Sequence, residues 1–341
     1  MRRRMSLLVL LLEVNMLGME CSRNYITWND LTVVNRSRSK VIVVADRNGR
    51  GDSRTVQGAV DKVPDNNTER VKILIHPGIY REKVVIPKSK PYISFIGIEN
   101  KTSETVISWH DKASDKDKNG RGIGLVGTAT VTIESDYFCA NGITFENTVK
   151  QYPGAYNMQA AALRVVGDKA MFYKVRILGV QDTLLDQEGT HYYYRAFIQG
   201  RVDFICGNAK SLFKKCMLHS IAEAGGAIAA HHRNSLNEDT GFSFVDCTIN
   251  GKGPTLLGRA WGSYSRTIYS RCYMDNIISP VGWSYWNDSN RKRTTDFGEF
   301  RCKGKGADRH SRAPWSKSLT YNDAKPFLSL SYINDGNWLR L

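Results

Sequence analysis

The segments YKVRILGVQDT (residues 173–183) and YRAFIQGRVDF (residues 194–204) alternate apolar and polar residues in the same order, 21 positions apart. The same alternation occurs in ANGITFENT (140–148), KKCMLHS (214–220), VDCTING (245–251) and SRCYMDN (270–276). The positions that align in the six segments are Ile143, Val175, Ala196, Cys216, Cys247 and Cys272. Successive positions are 32, 21, 20, 31 and 25 residues apart. Strand-period alternation that recurs at such intervals, with little helical periodicity between, predicts a solenoid.

The kind of solenoid follows from what the repeats lack. They do not show the L-x-x-L-x-L spacing of leucine-rich repeats, and hairpin turn signals are scarce. An all-β fold, a parallel β-helix with a single strand per layer in each coil, therefore fits better than a sandwich. Its small inward residues, Cys216, Cys247 and Cys272 among them, would stack along the core as packing residues rather than as disulfides.

Two carboxylates occupy equivalent positions in this repeat. Asp182 and Asp203 each lie seven residues beyond the aligned position of their coil, so they would face each other across about 4.8 Å. Gln159 and Gln181, 22 residues apart, would sit similarly. A solvated polar ladder is one interpretation. The apolar DFI context (203–205) and the mutual repulsion favour a catalytic pair whose pKa values are split, so that acid and base roles divide.

Charge and length restrict the class of partner. The chain has 341 residues, enough for a sizeable core, and a formal net charge of +15. A basic protein suits a polyanionic partner, unless the charge serves solubility alone. No helix-turn-helix, zinc-finger or RNP pattern is present, so nucleic acid is not expected, whereas an acidic polysaccharide would fit.

The N-terminus resembles a targeting segment. Three arginines precede an apolar run from Leu7 to Leu12, which is too short to span a bilayer. We predict a cleaved secretory signal over residues 1–22, a single domain over 23–341, and no membrane association after cleavage. Glycosylation sequons fit a secreted protein, and they begin at Asn35, Asn66, Asn100 and Asn287.

Several catalytic motifs are missing. There is no G-x-S-x-G nucleophile elbow and no H-E-x-x-H or similarly spaced metal-ligand set, so neither a metal nor a cofactor is expected. The segment GIGLVG (122–127) matches G-x-G-x-x-G, but a charged loop precedes it and a strand-like segment follows. That context is opposite to the one a dinucleotide-binding motif requires.

Five segments resemble, in order, the motifs of plant pectinesterases. They are GIYREKV (78–84), QAAAL (159–163), QDTL (181–184), DFICG (203–207) and LGRAW (257–261). The C-terminal GWSYWN, FGEF and DGNWL resemble the closing coils of the same family. The resemblance covers roughly residue 40 to the end. It implies a right-handed parallel β-helix and a short-form enzyme without an N-terminal inhibitor-like region.

The resemblance also implies a reaction, the hydrolysis of galacturonate methyl esters in cell-wall pectin with release of methanol. Asp203 would be the nucleophile that forms an acyl-enzyme, and Asp182 the general acid and then the general base. Arg259 would keep Asp203 ionised and oriented.

The remaining site residues are implied by the same resemblance. Gln159 and Gln181 would hydrogen-bond the oxyanion, and Trp261 and Trp283 would stack on sugar rings. The expected partner is methyl-esterified homogalacturonan, with a proteinaceous pectinesterase inhibitor as a further candidate. The implied protein is a secreted monomer that acts in the cell wall.

The chain departs from the family pattern at four positions near these motifs. Leu185 stands where a tyrosine is frequent, Ala196 where many members carry a cysteine, Cys206 where an aromatic residue is common, and His231 where a glutamine is expected. Two alternatives therefore stay open: a catalytically weak or silent pectin-binding β-helix protein, and a pectate lyase. A lyase would need calcium and a basic residue, and the sequence shows no calcium-ligand cluster.

Overall fold

Each coil of the chain contributes one strand to each of three parallel sheets, in the repeating order A, C, B. The structure is a computed structural model that describes residues 24–32, 40–44, 51–152 and 155–341. The predicted signal segment, residues 1–22, and the sequon at Asn35 lie outside these ranges. Within them, the strands of every pair run parallel, as a β-helix requires. The prediction of a parallel β-helix is confirmed.

The bounds of the strands are as follows. Sheet A consists of Lys40–Val44, Val71–Ile75, Ile93–Ile96, Cys139–Asn141, Ala170–Tyr173, Thr190–Tyr194, Lys210–Lys214, Gly241–Val245, Arg266–Ser270, Asp296–Phe300 and Lys317–Ser318. Sheet B consists of Val84–Ile86, Val131–Ile133, Leu163–Val165, Leu184–Asp186, Ile205–Gly207, Ala227–His231, Leu256–Arg259 and Trp283–Ser284. Sheet C consists of Gly78–Arg81, Thr105–Trp109, Thr144–Asn147, Arg176–Leu178, Phe197–Gly200, Met217–Ile221, Thr248–Lys252 and Tyr273–Met274.

The helices are short and lie outside the sheets. The α-helical segments are Val56–Asp61, Gly124–Gly127, Arg291–Thr294 and Tyr321–Ala324. The 3₁₀ segments are Trp28–Leu31, Glu99–Lys101, Lys305–Ala307, Lys325–Phe327 and Leu330–Tyr332. In the described ranges, no helix has the length and apolar character needed to cross a membrane.

The aligned sequence positions stack at the start of sheet C, as the repeat predicted. Val175, Ala196, Cys216, Cys247 and Cys272 are all buried, and the strands that follow them pair in register from Arg176–Leu178 to Tyr273–Met274. The three cysteines are free thiols, and each donates a hydrogen bond to a carbonyl of the preceding coil at 3.3–3.4 Å. They therefore act as small packing residues.

Aromatic rings form a second internal ladder, beneath sheet A. Neighbouring rings are stacked with centroids 4.5–4.7 Å apart, along Phe172, Tyr193, Phe213, Phe244 and Tyr269. Offset stacking adds about 0.5–1.5 kcal/mol per pair beyond the burial of area. This column joins five successive coils and gives the site a rigid support.

Candidate active site

The two aspartates lie at the turn where the chain passes from sheet C to sheet B. Both adopt a left-handed backbone, with φ of 55° at Asp182 and 46° at Asp203. The amide of Asp182 donates to the carbonyl of Val202 at 3.1 Å, and Leu184 pairs with Ile205 in the sheet that follows. The two acids are therefore equivalent residues on adjacent coils, as the 21-residue spacing predicted. Aspartate tolerates this backbone region better than most residues, which makes the turn accessible at modest cost.

The two glutamines are aligned by an irregularity in the hydrogen-bond pattern. Ala160 N donates to Gln181 O at 3.1 Å, whereas the amides of Ala162 and Leu163 both donate to Thr183 O, at 2.8 and 3.3 Å. Two residues thus oppose one, as in a β-bulge. The extra residue explains why a spacing of 22, not 21, keeps Gln159 beside Gln181. Both glutamines line one cleft with the two aspartates.

Arg259 reaches Asp203 from two coils away. In sheet B, Cys206 pairs with Ala230, which pairs with Arg259, so all three occupy one column. The Nε of Arg259 donates to Asp203 Oδ1 at 2.8 Å, and its Nη2 contacts Oδ2. The Asp203 side chain is 6% exposed. This two-point contact fixes the rotation of the carboxylate as well as its charge.

Burial raises the pKa of both acids, and the Arg259 contact with Asp203 sets the two apart. Burial raises the pKa of Asp182 well above its ordinary value, and the charge of Asp203 raises it further against the opposing effect of Arg259. Burial also raises the pKa of Asp203, against the hydrogen bonds and the charge of Arg259, which lower it. A proton shared by the pair therefore resides on Asp182, and Asp203 is the group that ionises first.

The cleft that contains these groups has a volume of about 540 Å³. Trp261 and Trp286 form part of its wall, and Gly122 and Gly124 of the misleading G-x-G-x-x-G segment form another part. The Trp286 ring lies 3.9 Å from the Arg259 guanidinium, so it covers the face of the arginine that Asp203 does not engage. The cleft thus offers two flat aromatic surfaces beside the acids.

Trp283 is not one of these surfaces, and that assignment is corrected. Its side chain is 2% exposed, stacks on Phe297 with ring centroids 4.6 Å apart, and donates its indole N–H to Glu299 at 3.3 Å. Side chains alternate along a strand, so Trp283 points inward whereas Ser284, the pairing partner of Arg259, belongs to the outward column. The segment GWSYWN contains two tryptophans, and the second, Trp286, is the one in the cleft.

Gln151 contacts the cleft residue Gln181, and the sequence did not single it out. Its Nε2 donates to the Oε1 of Gln181, which leaves the Nε2 of Gln181 free to donate elsewhere. The segment that carries Gln151 connects sheets C and B, and no motif or periodicity singles it out. By contrast, the Oε1 of Gln159 is buried with no hydrogen-bond partner within the described ranges.

Two of the four departures from the family pattern, Leu185 and Cys206, lie beside the cleft, whereas Ala196 lies in the buried column at the start of sheet C. Leu185, Cys206 and Ala230 belong to one small buried cluster against which Trp261 and Trp286 pack. His231 is fully buried, and burial lowers its pKa to about 3, so it is neutral. None of these side chains displaces the aspartates, the glutamines or the arginine.

A third buried acid, Asp186, was not singled out from the sequence. Asp186 accepts hydrogen bonds from His191 Nδ1 at 2.6 Å, from Tyr193 Oη at 2.8 Å and from Ser211 Oγ. The other ring nitrogen of His191 lies 2.8 Å from the carbonyl of Gly167. Both ring nitrogens face acceptors, an arrangement that favours the doubly protonated imidazole.

In the described part of the chain, no three His, Cys, Asp or Glu side chains are grouped so as to hold a metal ion.

The chain matches the family model Pectinesterase over residues 41–337. The chain therefore belongs to the pectinesterase family, a family of carboxylic ester hydrolases.

Particular relatives agree with that assignment. Pectinesterase QRT1 of Arabidopsis thaliana is 58% identical over 318 residues, which cover 93% of this chain and 84% of that protein. Pectinesterase 31 of the same plant is 38% identical over 310 residues, covering 88% and 95%. The structure of the pectin methylesterase from carrot aligns with a TM-score of 0.80 at 32% identity, covering 90% of this chain and 96% of that one.

Proposed function

We propose that this pectinesterase hydrolyses the galacturonate methyl esters of pectin through Asp203 as nucleophile. An Asp203 oxygen attacks the ester carbonyl, the bond from that carbon to the methoxy oxygen breaks, and Asp182 gives its proton to the departing methanol. The Asp182 carboxylate then takes a proton from water, which hydrolyses the acyl-enzyme and restores Asp203. One ester and one water thereby give one carboxylic acid and one methanol.

The observation that carries this proposal is the two-point contact between Arg259 and Asp203, beside an Asp182 whose pKa is raised by burial and by the charge of Asp203. A carboxylate that acts as a nucleophile must be ionised, whereas a carboxyl group that acts as a general acid must carry a proton. Two chemically identical side chains meet both requirements because burial acts on both of them while the arginine contacts Asp203 alone.

Gln159 and Gln181 are the proposed donors to the oxyanion of the tetrahedral intermediate. Gln151 supports this role for Gln181, because an amide whose oxygen accepts from Gln151 must present its NH₂ group to the cleft.

Trp261 and Trp286 are the proposed stacking surfaces for sugar rings. Trp261 is held by His232, whose ring centroid lies 4.2 Å away, and Trp286 by Arg259. The net charge of +15 suits a galacturonate polymer. We propose further that the protein is a secreted monomer of the cell wall and a target of proteinaceous inhibitors; the signal-like N-terminus and the sequons support the secretion.

The reaction type is tested with the purified protein and highly methyl-esterified homogalacturonan. We expect methanol release, no increase in the ultraviolet absorbance of unsaturated uronates, and no loss of rate with a chelator. An absorbance increase that depends on calcium would replace the proposal with a lyase. Pectin binding without methanol would replace it with a silent binding protein.

A further inference from the structure

One turn of the β-helix presents the same position on six successive coils, where the chain passes from sheet A to sheet C. All six residues have a left-handed backbone with φ between 47° and 55°. We call this column the basic ladder, and its members are Lys174, Arg195, Lys215, Asp246, Arg271 and Arg301.

The backbone holds the basic ladder in register. Each amide donates to the carbonyl that precedes the next member, at 2.7–3.0 Å, from Lys174 N to Tyr194 O through Arg271 N to Phe300 O. Adjacent members are therefore about 4.8 Å apart, and the column extends roughly 24 Å along the helix axis.

Charge along the basic ladder is incompletely balanced. Lys174 pairs with Glu99, and Arg271 pairs with Asp246 through two contacts at 2.7 and 3.0 Å. Arg195, Lys215 and Arg301 are exposed, and none of them has an ion-pair partner in the part of the chain that the structure describes. Arg195 and Lys215 are direct neighbours, and like charges in that position repel. A polyanion bound along the column would relieve the repulsion.

Three apolar side chains lie beside the basic ladder, two residues beyond Arg195, Lys215 and Arg271 on sheet C; we call Phe197, Met217 and Tyr273 the apolar column, in which Thr248 stands between Met217 and Tyr273. Met217 is 40% exposed and Tyr273 is 52% exposed. Phe197 pairs with Met217 on one side and with Arg176 on the other. The Arg176 guanidinium lies 4.6 Å from the centroid of the Phe197 ring. Cations beside flat apolar groups match a polymer that combines carboxylates with sugar-ring faces.

We propose that the basic ladder and this apolar column bind de-esterified homogalacturonan, the acidic product of the enzyme. The family's reaction creates one carboxylate per sugar, so the product is a regular polyanion, whereas the fully esterified substrate is neutral. The site is distinct from the cleft, because the strand Phe197–Gly200 separates Arg195 from Asp203 within one coil. Product held there keeps the enzyme on chains that already contain de-esterified stretches.

The test compares binding of polygalacturonate by the wild-type protein and by the double variant Arg195→Glu/Lys215→Glu. We expect Kd to rise about tenfold or more, with a weaker dependence on salt, because two cations that face the polymer are reversed. Methanol release from fully methylated oligogalacturonide should be unchanged, since neither residue lines the cleft. Polyglutamate of equal charge, which lacks rings, should bind the wild-type protein more weakly than polygalacturonate.

The matched control is Lys62→Glu/Lys88→Glu, which reverses two exposed lysines on other faces. Each double variant lowers the formal net charge from +15 to +11, by −2 at each position. The proposal is overturned if the ladder variant binds polygalacturonate like the wild type, if the control loses as much affinity, or if polyglutamate binds equally well. The variant Asp203→Asn separates the two sites, because it should bind polygalacturonate normally even where catalysis is lost.

Discussion

Asp203 illustrates what a single residue needs from its surroundings in this site. Its carboxylate is almost completely buried, yet it must be ionised and must present one oxygen to an ester carbonyl. Arg259 meets both needs through its charge and its planar fork, and these two contributions can be separated by substitution.

We expect Arg259→Lys to keep the positive charge but to lose the two-point contact that orients the Asp203 carboxylate. Turnover should fall on the order of a hundredfold, because misplacing a reacting group by about 1 Å costs that much. The acidic limb of the pH–rate profile should move little. In Arg259→Ala the cause that lowers the pKa of Asp203 is removed, so that limb should shift to higher pH. Near-normal turnover of the lysine variant would refute the aiming role.

A second prediction concerns the orientation of an amide. Gln151→Glu places an acceptor opposite Gln181, so the Gln181 side chain should turn its NH₂ toward residue 151 and its oxygen toward the oxyanion. Loss of one oxyanion donor costs about a hundredfold in kcat, so Gln151→Glu should be slower than Gln151→Ala, with KM nearly constant. In a variant that also carries Gln181→Ala, the substitution Gln151→Glu should cause no further loss of kcat.

The outcomes of that experiment are separable. If Gln181→Ala is fully active, the proposed role of Gln181 fails. If Gln181→Ala is impaired while Gln151→Glu is as active as Gln151→Ala, the orienting role of Gln151 fails and the rest of the mechanism stands.

At the scale of elements, a buried acid–histidine pair joins sheet B to sheet A. Asp186 ends the strand Leu184–Asp186, and His191 lies in the neighbouring strand Thr190–Tyr194 of sheet A. Burial lowers the pKa of His191, but the charge and hydrogen bond of Asp186 and the carbonyl of Gly167 outweigh it, and the pKa is raised.

This buried pair makes stability depend on pH in a defined direction. A group whose pKa is higher in the folded state stabilises the fold fully at pH values below its unfolded pKa, about 6.5 for histidine. This contribution is lost as the pH rises through the folded-state pKa. Relative to His191→Gln, the wild-type free energy of unfolding should therefore decline between pH 6 and the alkaline range. Urea unfolding at several pH values measures this; His310→Gln, at an exposed position, should retain the wild-type pH dependence. An equal dependence in His191→Gln would refute the charged pair.

At the scale of the whole molecule, the repeat was readable because strand alternation and buried small residues recur at the same turn. The 21-residue spacing of Asp182 and Asp203 was sufficient to predict their adjacency. Trp283 was misassigned because inward and outward faces cannot be told apart where two tryptophans lie three residues apart. Gln151 was missed because its contribution depends on a contact with Gln181 of the next coil, which spacing alone does not specify.

The measurement that tests the central claim most directly is methanol turnover by Asp203→Asn, beside its affinity for methylated pectin. The amide is nearly isosteric with the carboxylate but cannot attack the ester, so the rate should fall below about a hundredth of wild type while binding changes little. A variant that retains a larger share of the wild-type rate would contradict the nucleophilic role of Asp203.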